Sequence, residues 1–228
     1  MKIIRYKKLA STQEKAKKLK RAEDFTVVVA DRQTSGKGTK GRSFSSSLGG
    51  LYLSVIRLYP CEAKEAFSIM VSSAVAVIKT LKAFGVSAKI KWPNDIYLCG
   101  KKLCGILIEN TVSGEEISKS VVGIGINVNS EIPKDLKEIA ISLKEILNAE
   151  LDLKSVLATL LYNLTLDFGI DEYKKHSFVL GKEITVIKGE EVYKAVAKDV
   201  SEKGELILES GEILSSAEVS IRCGNSPS

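Results

Sequence analysis

Apolar positions along this 228-residue chain change their spacing from one stretch to the next. Thr26 to Ala30 and Leu51 to Ile56 are nearly continuous apolar runs and predict buried strands, while Ala88 to Trp92 and Gly105 to Glu109 alternate like half-buried ones. Glu62 to Phe84 repeats at helical spacing, with Ile69, Met70, Ala74, Val77, Ile78 and Leu81 on one face and Gly85 as the stop. Ser120 to Val128 predicts a further strand, entered through a turn at Val112 to Glu115. Ile141 to Leu147 and Leu153 to Lys175 predict two more helices, the second apolar at Val156, Leu157, Leu160, Leu161, Leu164 and Phe168. Beyond Gly181 the helical spacing disappears. Lys182 to Ile187, Val192 to Asp199, Glu205 to Leu208 and Ala217 to Ile221 read as short strands separated by Gly189, Gly204 and Gly211. The expectation is an α+β protein with a mixed sheet packed by helices over residues 1–180, a small β-barrel over 181–228, and fraying at 224–228.

Two loops interrupt this pattern with polar chemistry. Ser11-Thr12-Gln13-Glu14 has the form of a capping box and opens a basic helix to about Ala22. In KWPNDIYLCGKKLCGIL, Lys91 to Leu107, Pro93 ends one strand and Cys99-Gly100 turns the chain between Ile96-Tyr97-Leu98 and Leu103. Asn94, Asp95 and Lys102 thereby fall near one point, beside the only tryptophan, Trp92. Pro-Asn-Asp by itself is an ordinary turn. An amide, a carboxylate and an amine gathered on one short loop are what make the segment a candidate site.

Composition narrows the chemistry. The 44% hydrophobic content suits one sizeable core with a small second unit. No apolar run approaches the roughly 20 residues of a bilayer span, and the N-terminal residues lack a signal-peptide pattern, so a cytoplasmic protein is expected. Cys61, Cys99, Cys104 and Cys223 contain no CxxC pair and His176 stands alone, which argues against structural zinc and a disulfide framework. Residues 1–42 hold 13 Lys and Arg against 4 Asp and Glu, a basic end that attracts anions. Lys15, Lys17, Lys18, Lys20 and Arg21 fit an ordinary solvated helix face.

Gly36-Lys37-Gly38-Thr39-Lys40-Gly41-Arg42-Ser43 satisfies GxGxxG and nearly satisfies a P-loop. Both motifs require a helix after the glycines. Here Phe44 to Gly50 leads into a strand, so both are rejected, and no HRD or DFG segment supports a kinase. The loop still offers close backbone approach and three cations, Lys37, Lys40 and Arg42, for a phosphate or carboxylate. With one histidine and no serine elbow, acyl-enzyme chemistry is poorly supplied. Placing charges so that a carboxylate meets the α-phosphate of ATP suits these residues better.

In that order the motifs resemble those of biotin protein ligases over nearly the whole chain. The family's GRGRRGR loop is similar to Gly36 to Arg42, its KWPNDLY…KLxGIL segment to Lys91 to Leu107, and its GxGIN strand to Gly123 to Asn127. The resemblance implies a class II synthetase-like catalytic domain with an SH3-like C-terminal barrel. It implies ATP-dependent formation of biotinyl-5′-AMP, with Mg²⁺, and transfer of biotin to a lysine of a carrier domain of acetyl-CoA carboxylase or a related carboxylase. Ser11, Thr12, Gln13, Gln33, Gly36, Lys37, Gly38, Thr39, Lys102 and Gly105 would meet biotin, and Lys40, Arg42, Phe44, Asn94, Asp95, Lys102 and Asn127 the nucleotide. Lys102, Arg42 and Asp95 would be catalytic, with Asp95 a candidate Mg²⁺ ligand. The chain departs from the pattern at Lys37 and Thr39, where the family has arginines, and at Phe44, where many members have tryptophan. Lysine cannot make the bidentate guanidinium fork and threonine has no charge, a deficit Lys40 is placed to offset. The first strand begins within the first residues, so a form without a DNA-binding domain is expected, as a homodimer. A lipoyl or octanoyl ligase shares the fold but not KWPND. A basic nucleic-acid-binding module would bind with steep salt dependence and without biotin.

Overall fold

Strand alternation turns two unlike faces outward from one sheet, and everything else in the molecule is arranged around that difference. The computed structural model describes residues 1–58, 61–216 and 219–223. In chain order its first unit runs β1 (Lys2–Tyr6), α1 (Thr12–Lys17), β2 (Thr26–Ala30), β3 (Leu51–Arg57), β4 (Cys61–Glu62), α2 (Ala66–Ala83), β5 (Lys89–Lys91), β6 (Asp95–Leu98), β7 (Lys101–Ser113), β8 (Glu116–Ile126), α3 (Leu143–Leu147), α4 (Leu153–Asn163) and α5 (Ile170–Lys175). The sheet order is β1-β2-β3-β8-β7-β6-β5, with β4 added beside β8. Among its described strands β1 and β2 pair in parallel and the others antiparallel, so the sheet is mixed.

Val27 and Val29 of β2, Leu51, Leu53 and Val55 of β3, and Val122, Ile124 and Ile126 of β8 all enter the main core with α2 and α4. The intervening residues face the other way. There Val28, Ile56 and Val121 pack under Ala16 of α1. Farther along the same face stand Ser54, Gly123 and Gly125, small residues that leave room above the sheet.

The second unit is a five-stranded antiparallel sheet in the order β12-β11-β10-β9-β13, from β9 (Glu183–Lys188), β10 (Glu191–Val200), β11 (Leu206–Leu208), β12 (Ile213–Leu214) and β13 (Val219–Cys223). Strand β10 pairs with β9 through Val196 and with β11 from Ala197 onward, bending at a register shift between Ala197 and Asp199 into a small SH3-like form. Ile184, Val186 and Leu206 belong to the same core as α2, so the two units share one interior. Trp92 Nε1 donates to Gly204 O at 3.0 Å across that junction.

Several expected elements differ in extent. The helix expected to reach Ala22 ends at Lys17, where Lys119 Nζ donates to the carbonyls of Ala16 and Lys17 and satisfies its open end. The single helix expected over Leu153 to Lys175 is two: α4 stops at Asn163, and Thr165, Asp167 and Gly169, poor helix formers, carry the chain to α5. Strand β12 and the capping box of Ser142 with Glu145 went unread in the sequence. The start of the last strand at Ala217 and the fraying of 224–228 lie outside the described residues. The expectation that no run reaches membrane length needs correction: Ala63–Ala83 is long and apolar enough. Its Val71, Ala74, Val75, Ala76, Val77, Ile78 and Leu81 are buried in the core, which accounts for that composition without a bilayer.

Gly204 sits at φ +84°, and a Cβ there would lie 2.3 Å from Phe67 Cδ2. Gly204→Ala is therefore expected to destabilise the protein by about 2–5 kcal/mol, the sum of left-handed strain and overpacking. A urea unfolding midpoint equal to that of the parent would show that the turn relaxes instead.

Candidate active site

The open face of the sheet forms a cleft whose floor leaves little room for side chains at its glycines. A Cβ on Gly123 would stand 2.5 Å from Gln13 Oε1, and one on Gly125 2.7 Å from the Phe44 ring. At Gly105 it would meet Lys102 Nζ and Phe44 Cε2, both at 3.2 Å. The Gly-Ile-Gly-Ile-Asn run thus has two jobs: its isoleucines fill the core below while its glycines clear the cleft above.

One end of the cleft is a buried polar clasp. Gln33 Oε1 accepts from Thr12 N at 2.7 Å and from Thr12 Oγ1 at 3.1 Å, while Gln33 Nε2 donates to Ser46 Oγ at 2.9 Å. Ser46 Oγ donates to Phe44 O. Gln13 Nε2 donates to Val121 O, and Ser54 Oγ lies 3.0 Å from both Thr12 Oγ1 and Gln13 Oε1. Ser54 has one proton for those two oxygens, and the Thr12 proton already goes to Gln33. One oxygen is therefore left to accept from an N–H donor on a ligand. Ser11 caps α1, accepting from Glu14 N at 3.4 Å. Gly36 lies behind the clasp, where a Cβ would come within 2.4 Å of Phe44 O. Ser46 and Ser54 were not singled out from the sequence. The signal for Ser54 was present, the one serine in the run Leu51 to Ile56.

The other end is charged. Lys102 Nζ stands 2.7 Å from Asp95 Oδ1, and 5.7 Å from the centre of the Phe44 ring. Strict alternation would put Lys102 and Gly105 on opposite faces. They share one because Asp95 pairs with Gly105 and Ile96 with Cys104, but Tyr97 pairs with Lys102, leaving Leu103 as an extra residue. Leu103 and Cys104 consequently both turn into the core. The neighbouring Lys101 points away and donates to Lys137 O. Asn94 Nδ2 donates to Ile106 O at 2.7 Å and Asn127 Nδ2 to Ile141 O at 3.1 Å, so both amides brace the loops around the pair.

Three cavities meet at Phe44, Asp95 and Lys102. The narrow cleft, about 40 Å³, runs to the clasp between Lys37, Gly38, Thr39 and Leu107. A second, about 270 Å³, is lined by Arg42, Tyr97, Asn127, Ile132 and Pro133. A third, about 480 Å³, lies between Thr39, Arg42, Lys91 and Ser216. A larger hollow of about 720 Å³ opens on the α2 side beside Arg57 and Lys64 and contains none of the expected site residues.

The glycine loop folds over this junction as a small hairpin. Gly38 N donates to Arg42 O at 2.7 Å and Phe44 N to Gly36 O at 2.9 Å, around a tip in which Lys40 takes φ 55°. Lys37 Nζ contacts Glu14 Oε1 at 2.7 Å, and its hydrogen bond holds the Glu14 carboxyl below the usual glutamate value. Lys40, expected to offset the missing arginine beside a phosphate, lines the third cavity, but its amine donates to Val219 O of β13 at 2.8 Å. Phe44, expected beneath the nucleotide, stands between the cavities over Gly105 and Gly125.

A mixed sheet with a clasp, a lysine–aspartate pair and a glycine lid on one face, followed by a small SH3-like sheet, is the biotin protein ligase fold. Biotin protein ligase from Aquifex aeolicus, solved in complex with biotin and ATP, superposes with a TM-score of 0.79 at 32% identity, covering 98% of this chain and 99% of that one. Residues 5–127 match the Biotin/lipoate A/B protein ligase family and residues 179–222 the Biotin protein ligase C terminal domain. The chain belongs to the biotin/lipoate A/B protein ligase family. It is 35% identical to the bifunctional ligase/repressor BirA of Bacillus subtilis over 183 residues, 77% of this chain and 56% of that protein. It is 28% identical to the biotin–[acetyl-CoA-carboxylase] ligase of Mycobacterium tuberculosis over 82% of this chain and 74% of that one. The chain thus spans little more than half the length of the BirA protein it matches.

Ser54→Ala would remove the one proton shared between Thr12 Oγ1 and Gln13 Oε1 and leave both buried oxygens without a donor from the sheet. The expected loss of stability is about 1–3 kcal/mol. A urea denaturation curve superimposable on that of the parent would mean that water or a rotated Gln13 replaces the hydroxyl.

Proposed function

We propose that this chain activates biotin with ATP to give biotinyl-5′-AMP and pyrophosphate. It then transfers the biotinyl group to one lysine of a biotin carboxyl carrier domain belonging to acetyl-CoA carboxylase or a related carboxylase. The observation that carries this reading is the Lys102–Asp95 pair, seated where a narrow polar-ended cleft opens into two wider cavities. Oxygens of Thr12, Gln13, Gln33 and Ser54 suit the N–H groups of a ureido ring, and Leu107 with the bare glycine floor suits its thioether ring and aliphatic chain. The chain's carboxylate then reaches Lys102. The Aquifex aeolicus relative, solved with both biotin and ATP, supports the pairing of ligands.

Two anions must approach one another in the first step. A biotin carboxylate oxygen attacks the α-phosphorus, an O–P bond forms, and the P–O bond to pyrophosphate breaks. Lys102 Nζ donates to the carboxylate and to an α-phosphoryl oxygen, offsetting their repulsion, while Asp95 keeps the ammonium aimed between them. Arg42 serves the phosphates from the wall of the two wider cavities. In the second step a neutral carrier amine attacks the acyl carbon, the bond to AMP breaks, and Asp95 takes the amine proton. Among the described residues no three His, Cys, Asp or Glu side chains cluster, and Asp95 is the residue that would offer an oxygen to a Mg²⁺ brought in with the nucleotide, which would supply further charge neutralisation at the phosphates. We set the division between the two units at residues 180 and 181, where Gly181 turns the chain at φ +73°.

Pyrophosphate release from ATP is expected with biotin and not with lipoate or with neither. Equal release with lipoate, or release without either acid, overturns the assignment. Lys102→Ala is expected to lower the rate of adenylate formation by about 10²–10³, by analogy with loss of one oxyanion donor. An unchanged single-turnover rate in a folded variant would remove Lys102 from the mechanism.

A further inference from the structure

The lid hairpin is tied down at both ends by cations whose partners lie outside the cleft. At its base Lys37 Nζ meets Glu14 Oε1 at 2.7 Å, and at its tip Lys40 Nζ donates to Val219 O at 2.8 Å. Between them, Thr39 and Arg42 face the cavities. The base tether has a firm footing. Glu14 Oε1 also lies 3.5 Å from Lys17 Nζ, and Lys17 reaches Glu109 Oε1 at 2.8 Å, so alternating charges run from β7 through α1 to the lid. Helix α1 is itself immobilised by buried Ala16, by the Gln13–Val121 hydrogen bond and by Lys119 at its C-terminal carbonyls. A carboxylate on a fixed helix, directly after the clasp residues Thr12 and Gln13, is thus the only acidic partner within ion-pair distance of the lid's lysines among the described residues.

We infer that Glu14 is a positioning residue for the lid, acting through Lys37 to set how long the loop stays closed over an intermediate in the cleft. This rests on the proposed adenylation. In the sequence Glu14 is the third residue after Ser11 in a capping box. In the structure the helix takes half of that box, Ser11 accepting from Glu14 N, and the Glu14 carboxylate serves the lid. The ion pair to the neighbouring helix thereby holds the lid from outside the cleft.

The experiment loads the enzyme with labelled biotinyl-AMP and follows its escape into excess unlabelled biotin and ATP. Glu14→Gln is expected to release it about two- to five-fold faster, the range of an exposed ion pair. Lys37→Gln should do the same, and the double variant should be no faster than either single one. Near 1 M salt, where the screening length is about 3 Å, parent and variant should converge. Amide exchange at Gly38 in the unliganded protein should rise by a similar factor in Glu14→Gln, with the thermal midpoint unchanged. Unchanged escape and unchanged exchange, or single effects that multiply in the double variant, overturn the inference. If the parent forms no biotinyl-AMP, the proposed function fails, and the exchange measurement alone decides the tether.

Discussion

The active face of this protein depends on a sheet being allowed to keep one side almost bare. Eight strands must bury valine, leucine and isoleucine under α2 and α4, yet the same strands present Ser54, Gly105, Gly123 and Gly125 on the opposite face. Two-residue alternation makes both possible in one stretch of chain. The core is dense enough to hold the floor flat, and the floor is empty enough to admit a ligand. Each of the other features is fitted to that floor: α1 delivers the clasp to one end, the β6–β7 hairpin delivers the charge pair to the other, and the glycine hairpin covers the middle.

Polar groups near the floor are divided between support and chemistry. Gln33, Ser46 and the amides of Asn94 and Asn127 satisfy backbone and side-chain partners and hold loops in place. Ser54, Thr12 and Gln13 share too few protons among their oxygens, which is the condition for a ligand to supply one. Lys102 and Asp95 pair with one another until an anion arrives, so the cleft holds opposite charges ready at its mouth.

Much of this was legible in the chain because it follows local rules. The strand runs at Thr26 and Leu51, the long helix stopped by Gly85, and the Cys99-Gly100 turn, with both residues at positive φ, all come from spacing and turn chemistry. Failures arose where distant parts of the chain decide. Lys119 ends α1 from a strand about a hundred residues away, and α5 separates from α4 to place Tyr173, whose hydroxyl reaches Pro93 O. The contact of Lys40 with Val219 O was equally hidden, since nothing near it in sequence shows that β13 lies within reach. Ser54 was readable in principle, since an unexplained hydroxyl in an apolar strand is itself a signal, but its partners sit on α1.

The extra residue at Leu103 has a consequence for how such chains are compared. Two adjacent lysines have the same charge and reach, and only a register count, three residues to Gly105 with one bulged into the core, sends Lys102 to the cleft and Lys101 to Lys137. An alignment that slid a single gap into Lys101 to Gly105 would lose almost nothing in residue similarity and would nominate the wrong amine. In this site identity is a matter of arithmetic along the strand as much as of chemistry.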